Sequence, residues 1–405
     1  MIEPVEVDLG DKSVLLPRRE PKLSTAKAFG RAIPVCEPDL SGKELEYVTR
    51  CVESGWISSI GDLVPEFEQR FASAVGAKHG IACSNGTTAL HLALHTLGIG
   101  PGDEVIIPSF TMIATANAVR YTGATPVLVD SDRKTWNLSL ADVEAKIGAR
   151  SRAIVPVHTY GNPCNIEAIE RLAKKHGLAV IYDAAEAHGA EFRGRPIGNA
   201  GAASTYSFYA NKIVTTGEGG MVTTDDESYA RLARTIRGHA FSEERHFWHR
   251  YLGFNYRLTN LQAAVGLAQL ERFRQLVESR IAHAMIYNER LSGIPGLSLP
   301  PTNPDGKNVY WMYGLLVEDE FGMSRDSLRE YLADRGVETR TFFIPIHLQP
   351  IYYRRDAADR YPVAEELCRK GLYLPSSSKL TLAEQDYIAE CIRAASREGK
   401  GRRPA

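Results

Sequence analysis

The chain has 405 residues, 44% hydrophobic and 24% charged, with 48 Lys and Arg against 49 Asp and Glu and a formal net charge of -1. A near-neutral chain lacks the global positive field of a dedicated nucleic-acid binder, and the ordinary apolar fraction excludes wholesale disorder. No run approaches the roughly eighteen apolar residues of a membrane span, and MIEPVEVDLGDKSVLLPRRE lacks the basic-then-apolar order of a secretory signal. A cytoplasmic protein is therefore expected, with neither nucleic acid nor membrane as a partner. Six cysteines, at 36, 51, 83, 164, 368 and 391, form no CxxC pair, so reduced core thiols are expected rather than disulfides or a zinc site.

Residues 1–30 carry charges and prolines without a sustained period and read as a tail or an arm that packs on a partner. Helical spacing runs from about Leu40 to Glu53, and again from about Pro65 to Val75 with Phe67, Phe71 and Val75 on one face. Short apolar strands and longer helices then alternate through HGIACSNGTTALHLALHTLGIG, DEVIIPSFTMIATANAVRYTG, ATPVLVD, RAIVPVHTYG, IEAIERLAKKHG and LAVIYDAAEAHGA. This rhythm predicts an α/β domain with a largely parallel sheet flanked by helices. Chemistry in such sheets collects beyond the carboxyl ends of the strands, which marks residues 85–88, 109–112, 158–161 and 183–186.

After Lys212, Thr224 and Glu227 have the spacing of a capping box, and so do Thr259 and Gln262. The second box opens a helix expected to run about thirty residues, to about Leu291. From about Gly296, strand patterns (VYWMYGLLV) mix with short helices (SRDSLREYLADRG, LTLAEQDYIAECIRAA) before a polar tail, REGKGRRPA. The expected division is an N-terminal arm over 1–30, a large α/β domain over 31–275 and a small α+β domain over 276–405.

Three places carry chemistry. SNGTTAL, residues 84–90, joins a strand to a helix, where free amides and hydroxyls can cradle a phosphate, although small polar residues also cap helices everywhere. Asp183 leaves the apolar run 178–182, and a carboxylate there needs solvent or a fixed partner. A protonated pyridine nitrogen would serve, as would an ordinary N-cap role. Lys212 stands in SFYANKIVTTGEGGM among small, aromatic and hydroxyl residues, with Gly217, Gly219 and Gly220 following. A desolvated lysine amine has a lowered pKa and condenses readily with an aldehyde. A phosphate turn, an exit-strand Asp and a buried Lys, in that order, meet the needs of pyridoxal phosphate.

Other features point elsewhere or stay open. No GxGxxG follows the early strands, which disfavours a nicotinamide site, and without HExxH the histidines 158, 188 and 239 read as core or pocket residues rather than metal ligands. HFWHRYLGF, residues 246–254, could grip a nucleotide diphosphate or equally form a subunit contact.

In GWISSIG, SNGTTALHLAL, GDEVIIPSFT, DAAEAHGA, SFYANKIVTTGEGGM, GFNYRLTNLQAAVGLAQLE and TRTFFIPIHLQPIY the chain resembles the sugar aminotransferases typified by DegT, DnrJ, EryC1 and StrS. The resemblance implies a fold-type I pyridoxal phosphate enzyme that works as a homodimer with shared active sites. It implies that Lys212 binds the cofactor aldehyde and shuttles the proton, and that Asp183 pairs with the pyridine nitrogen. Glu186 would lie near the ring hydroxyl, and Gly86, Thr87 and Ser207 would hold the phosphate. Asn255 would reach the phosphate of the neighbouring subunit's cofactor, while His347, Tyr310 and Trp311 would line the sugar side. Met112 departs from the pattern, standing where an aromatic ring often stacks on the pyridine. Lysine rather than histidine at 212 marks an aminotransferase. The implied donor is L-glutamate, leaving as 2-oxoglutarate, and the implied acceptor is a nucleotide-linked 4-keto-6-deoxy sugar. GDP-4-keto-6-deoxy-D-mannose is the first expectation, and C3 or C4 amination of a dTDP- or UDP-linked keto sugar is the alternative.

Overall fold

Seven strands form one sheet in the order β1-β9-β8-β5-β4-β2-β3, the alternation that the sequence pattern predicts. In this computed structural model, residues 4–242, 244–245, 247–354 and 360–401 are described. Two helices, α1 (Glu44–Ser54) and α2 (Leu63–Ala74), precede the sheet close to their expected bounds, and the α2 residues Phe67 and Phe71 are fully buried. The sheet then grows through β1 (His79–Cys83), α3 (Gly86–Thr96), β2 (Glu104–Pro108), α4 (Ile113–Tyr121) and β3 (Thr125–Val129). It continues with α5 (Leu140–Lys146), β4 (Ser151–Ile154), α6 (Ile166–His176) and β5 (Ala179–Asp183). After a small hairpin, β6 (Glu191–Phe192) and β7 (Arg195–Pro196), the strands β8 (Ala203–Ser207) and β9 (Gly220–Thr224) complete it.

β2, β3, β4, β5 and β8 pair in parallel, and β9 runs against both β8 and β1. All strands but β9 therefore point the same way, and Ser84, Ser109, Asp183 and Ser207 emerge along one edge. Apolar clusters on both faces hold that edge rigid, one built on Phe67, Phe71, Tyr206 and Phe208 and the other on the alanines and leucines of α3.

The helix α7 (Glu227–Arg237) takes Asp226 as its N-cap, its carboxylate accepting the Tyr229 amide at 3.0 Å. The capping box expected at Thr224 does not form, because the Thr224 hydroxyl instead accepts the Asp226 amide. The box of Thr259 and Gln262 does form and starts α8 (Asn260–Glu271). The expected thirty-residue helix breaks at Arg272 (ψ 11°), and α9 (Phe273–Leu291) follows. The guanidinium of Arg272 is held bidentately by Asp39, a long-range anchor that no helical period signals.

Beyond α9, the strands β10 (Leu297–Ser298), β11 (Gly306–Lys307) and β12 (Tyr313–Val317) lead to α10 (Arg325–Ala333) and β13 (Arg340–Thr341). The chain closes with α11 (Pro362–Lys370), β14 (Gly371–Leu374) and α12 (Leu382–Gly401). An antiparallel sheet, β10-β12-β14-β13, forms the small C-terminal α+β domain, while β11 pairs back onto β6. VYWM, residues 309–312, does not join β12, which begins only at Tyr313, since Tyr310 sits at φ 47° and bends the chain before it. α12 runs on to Gly401 and absorbs most of the expected polar tail, of which residues 402–405 lie outside the described residues. From Lys12 on, the N-terminal segment bonds to the small domain of its own chain, at Glu365, Glu330, Arg329 and Ala333.

All six cysteines are free, and five of them are buried. Among the described residues no helix is long and apolar enough to cross a membrane, and no group of three His, Cys, Asp or Glu converges as a metal site.

Candidate active site

β5 carries an apolar run outward and stops at Asp183, which is 5% exposed. Its Oδ2 accepts the Thr115 hydroxyl at 2.8 Å and its Oδ1 accepts the Ala185 amide at 3.1 Å. The Ala185 contact closes a local turn, and among the described residues no helix follows directly on Asp183 for it to cap. Burial raises the Asp183 pKa, against the two hydrogen bonds and the charge of Lys212. Glu186, three residues on, is also buried, and its Oε2 accepts the Tyr160 amide at 2.7 Å. Burial pushes its pKa up to about 7, against the opposing Lys212 charge and the Tyr160 amide, with the Asp183 carboxylate adding to the rise.

Lys212 lies in the turn between β8 and β9, its amide donating to the Tyr209 carbonyl at 2.8 Å. Its side chain is half-buried, with Nζ 3.6 Å from the centre of the Trp311 ring. Burial lowers its pKa, and Glu186, Asp183 and Cys36 counteract that effect. An amine so placed gives up its proton more readily than an exposed lysine does.

The anion cradle stands beside it. Asn85 caps α3 by accepting the Thr88 amide at 2.9 Å, and the Thr88 hydroxyl accepts the Asn85 amide in return. That leaves the amides of Gly86 and Thr87 without a protein acceptor among the described residues, at the positive end of an eleven-residue helix. A Cβ on Gly86 would lie 2.8 Å from Ser207 Cβ, and one on Gly220 would collide with the Asn85 carbonyl. Glycine at both positions lets the start of α3 seat directly on the ends of β8 and β9, bringing the Ser207 hydroxyl to the free amides. Next to Lys212, the buried Asn211 Oδ1 also lacks a partner. An amine, two carboxylates and a donor-only cradle on one sheet edge fit pyridoxal phosphate.

The other expected site residues divide. Trp311 lies in the cluster, its Nε1 donating to the Asn211 carbonyl at 2.8 Å. Met112 is 50% exposed at the N-cap of α4, three residues before Thr115. Tyr310 turns away into the small-domain core, its hydroxyl 3.0 Å from that of Thr302. His347 has both ring nitrogens engaged, Nδ1 at 2.7 Å from Ser109 Oγ and Nε2 at 3.1 Å from Glu365, and burial lowers its pKa to about 4. Asn255 is exposed, its Oδ1 accepting from Arg257 at 2.9 Å, and makes no contact with Lys212, Asp183 or Glu186. Phe247, Trp248, Tyr251 and Leu252 of the HFWHRYLGF segment are exposed, and His246 lies outside the described residues. His158 and His188 are fully buried and held neutral, with pKa values pushed down to about 3.

Sequence reasoning missed Thr115, the Tyr160 amide and Cys36. The Cys36 thiol faces the Asn211 carbonyl at 3.5 Å and accepts from Arg280 at 3.3 Å. Thr115 could have been suspected as a hydroxyl in a first helical turn beyond a strand end. The other two act through a backbone amide and a contact across 175 residues, which leave no local signal.

Residues 38–393 match the model of the DegT/DnrJ/EryC1/StrS aminotransferase family. The chain is 46% identical to the GDP-perosamine synthase of Caulobacter vibrioides over 361 residues, covering 89% of this chain and 97% of that one. Among solved structures, S. venezuelae DesV in complex with a ketimine intermediate superposes with a TM-score of 0.83 at 36% identity, over 90% of this chain and 95% of that one. DesI in the presence of its TDP-sugar product gives a TM-score of 0.83 at 32% identity, over 97% of this chain and 98% of that one. The chain therefore belongs to the DegT/DnrJ/EryC1/StrS aminotransferase family of pyridoxal phosphate-dependent enzymes.

Proposed function

We propose that the chain transfers the amino group of L-glutamate to the C4 keto carbon of a nucleotide-linked 4-keto-6-deoxy sugar and releases 2-oxoglutarate. The observation that carries this reading is the Lys212 amine, its pKa lowered by burial, set against Asp183 and Glu186 beside an unfilled set of amide donors. The first candidate acceptor is GDP-4-keto-6-deoxy-D-mannose, giving GDP-perosamine, and the 46% identity to a GDP-perosamine synthase supports it. Amination of a dTDP- or UDP-linked keto sugar at C3 or C4 is the second reading, favoured by the likeness to DesI with its TDP-sugar product.

Pyridoxal phosphate supplies an aldehyde that binds amines and a ring that withdraws electrons from the neighbouring substrate carbon. Lys212 Nζ would hold that aldehyde at rest, take the proton from Cα of glutamate and return one to C4 of the sugar. Asp183, its oxygens fixed by Thr115 and Ala185, would keep a proton on the ring nitrogen. Glu186, oriented by the Tyr160 amide, would face the ring hydroxyl. Gly86 and Thr87 amides with the Ser207 hydroxyl would hold the phosphate. Trp311 keeps water from one side of the Lys212 amine, and the Met112 thioether can cover an exposed ring face. His347, with both ring nitrogens engaged, would shape the sugar-side wall, and Tyr310 would support it only from the small-domain core behind.

Asn255 would complete the phosphate site of a second subunit in a cytoplasmic homodimer, and the exposed Trp56, Phe247, Trp248 and Leu252 support such an association. The division into an arm over 1–30, a large unit over 31–275 and a small unit over 276–405 belongs to the same reading, and the break at Arg272 supports it. Mass spectrometry of products formed from glutamate with a GDP-linked 4-keto sugar and with dTDP- and UDP-linked 3-keto and 4-keto sugars is the test. A 4-amino product from the GDP sugar is expected. Amination of a dTDP or UDP sugar alone would favour the second reading, and amination of none of them would sink both.

A further inference from the structure

The segment before residue 38, where the family match begins, is built onto the small domain as a strap. Its 3-10 turn, Gly10–Leu15, sits on α11, with Lys12 Nζ 2.6 Å from Glu365 Oε1 and the Cys368 thiol donating to the Leu15 carbonyl at 3.4 Å. Farther along, Glu20 bridges Arg329 at 2.5 Å and Arg340 at 3.3 Å, and Arg329 is 1% exposed. Ala26 is fully buried against Gly336, whose φ of 74° and lack of room for a Cβ admit only glycine. Ile33 then pairs in parallel with Val337.

From the turn of the strap, a chain of side-chain contacts runs to the end of β2. Glu365 Oε1 meets both Lys12 and, at 3.1 Å, His347 Nε2. A carboxylate only accepts, so Nε2 of the neutral ring carries the proton. Nδ1 is then the acceptor, and the Ser109 hydroxyl donates to it across 2.7 Å. The Ser109 carbonyl in turn accepts the Ile346 amide at 2.7 Å. Ser109 opens the loop that bears Met112 and leads to Thr115, the residue that holds Asp183. From the large domain, Asp130 accepts the amides of Val363 and Ala364 at the start of α11. The helix is therefore clamped between the sheet edge and the strap.

We propose that the strap positions the sugar-side wall of the active site, with Lys12 as a positioning residue that holds Glu365 and, through it, His347 and residues 109–112. Glutamate is small and reacts on the floor beside Lys212, whereas a nucleotide sugar extends along the wall, so the strap bears on the second substrate. This rests on the nucleotide-sugar reading above.

The test compares the intact holoenzyme with Lys12→Ala, Lys12→Arg and a chain lacking residues 2–22. Amide hydrogen exchange is followed over 109–112 and 341–349, and KM is measured separately for glutamate and for the nucleotide sugar. For Lys12→Ala, faster exchange in both segments and a sugar KM raised roughly threefold are expected, with the glutamate KM and the cofactor's visible band unchanged. Lys12→Arg restores the wild-type values. The shortened chain shows the same pattern with a sugar KM raised about tenfold. Unchanged exchange in Lys12→Ala, or an equal rise in both KM values, overturns the proposal. If the shortened chain does not fold, the two Lys12 variants decide. If the intact enzyme aminates no nucleotide sugar, the functional reading fails while the exchange measurement still judges the strap.

Discussion

The floor of the cleft and its small-domain wall both bury ionisable groups, but they satisfy them on opposite plans. On the floor, Lys212 rests on an aromatic ring, and the Gly86 and Thr87 amides and the Asn211 carbonyl oxygen of the side chain meet no protein partner. On the wall, His347 is used twice, by Ser109 and Glu365, and Glu365 is used again by Lys12. A buried polar group left open costs stability unless something binds it, whereas a closed network mainly fixes geometry. The floor thus keeps donors and an acceptor open to a ligand, whereas the wall closes its polar groups on one another.

This contrast can be broken at several points. The largest effect is expected at Lys212. Lys212→Ala should lower turnover by more than about a thousandfold, the scale of a lost proton-transfer group, and should abolish the visible band that glutamate bleaches in the wild type. A variant that keeps the band and its turnover would remove Lys212 from the centre of the site.

A smaller effect concerns Glu186 and runs through pH. Its folded-state pKa, about 7, lies above the ordinary 4.5, so the folded protein binds its proton more tightly than the unfolded chain does. The stability this contributes is complete below 4.5 and is lost as pH rises through about 7. Glu186→Gln should therefore melt higher than the wild type above pH 7 in the cofactor-free protein, with the difference shrinking toward pH 4.5. Thermal melts across that window check it, and a difference that grows toward acid would contradict the burial argument. The smallest effect is expected at Met112. Met112→Phe should tighten cofactor retention by a few-fold, the worth of one added ring contact, as read by equilibrium dialysis. No gain would mean that this exposed side chain does not meet the ring.

Much of the floor was legible in the sequence because it is local. Gly86, Asp183, Glu186, Ser207 and Lys212 each sit at the end of a strand or in the turn after one, where an apolar run stops and polar residues begin. The wall was not. Tyr310 and Trp311 are adjacent, yet a left-handed φ at Tyr310 sends one into the small-domain core and the other under Lys212. The single long helix expected after Thr259 failed for a similar reason, since Asp39 anchors Arg272 from 233 residues away.

By itself the sequence determined the alternation of strands and helices, the edge on which chemistry collects and the lysine and aspartate that occupy it. These follow from side-chain periodicity and from the rule that a buried strand must end at polar residues. Only the tertiary structure decided that Thr115 and the Tyr160 amide orient the two carboxylates, that His347 is closed off by Ser109 and Glu365, and that the arm is a strap on its own chain. Those contacts join residues far apart in the chain, and their partners are chosen by packing rather than by spacing.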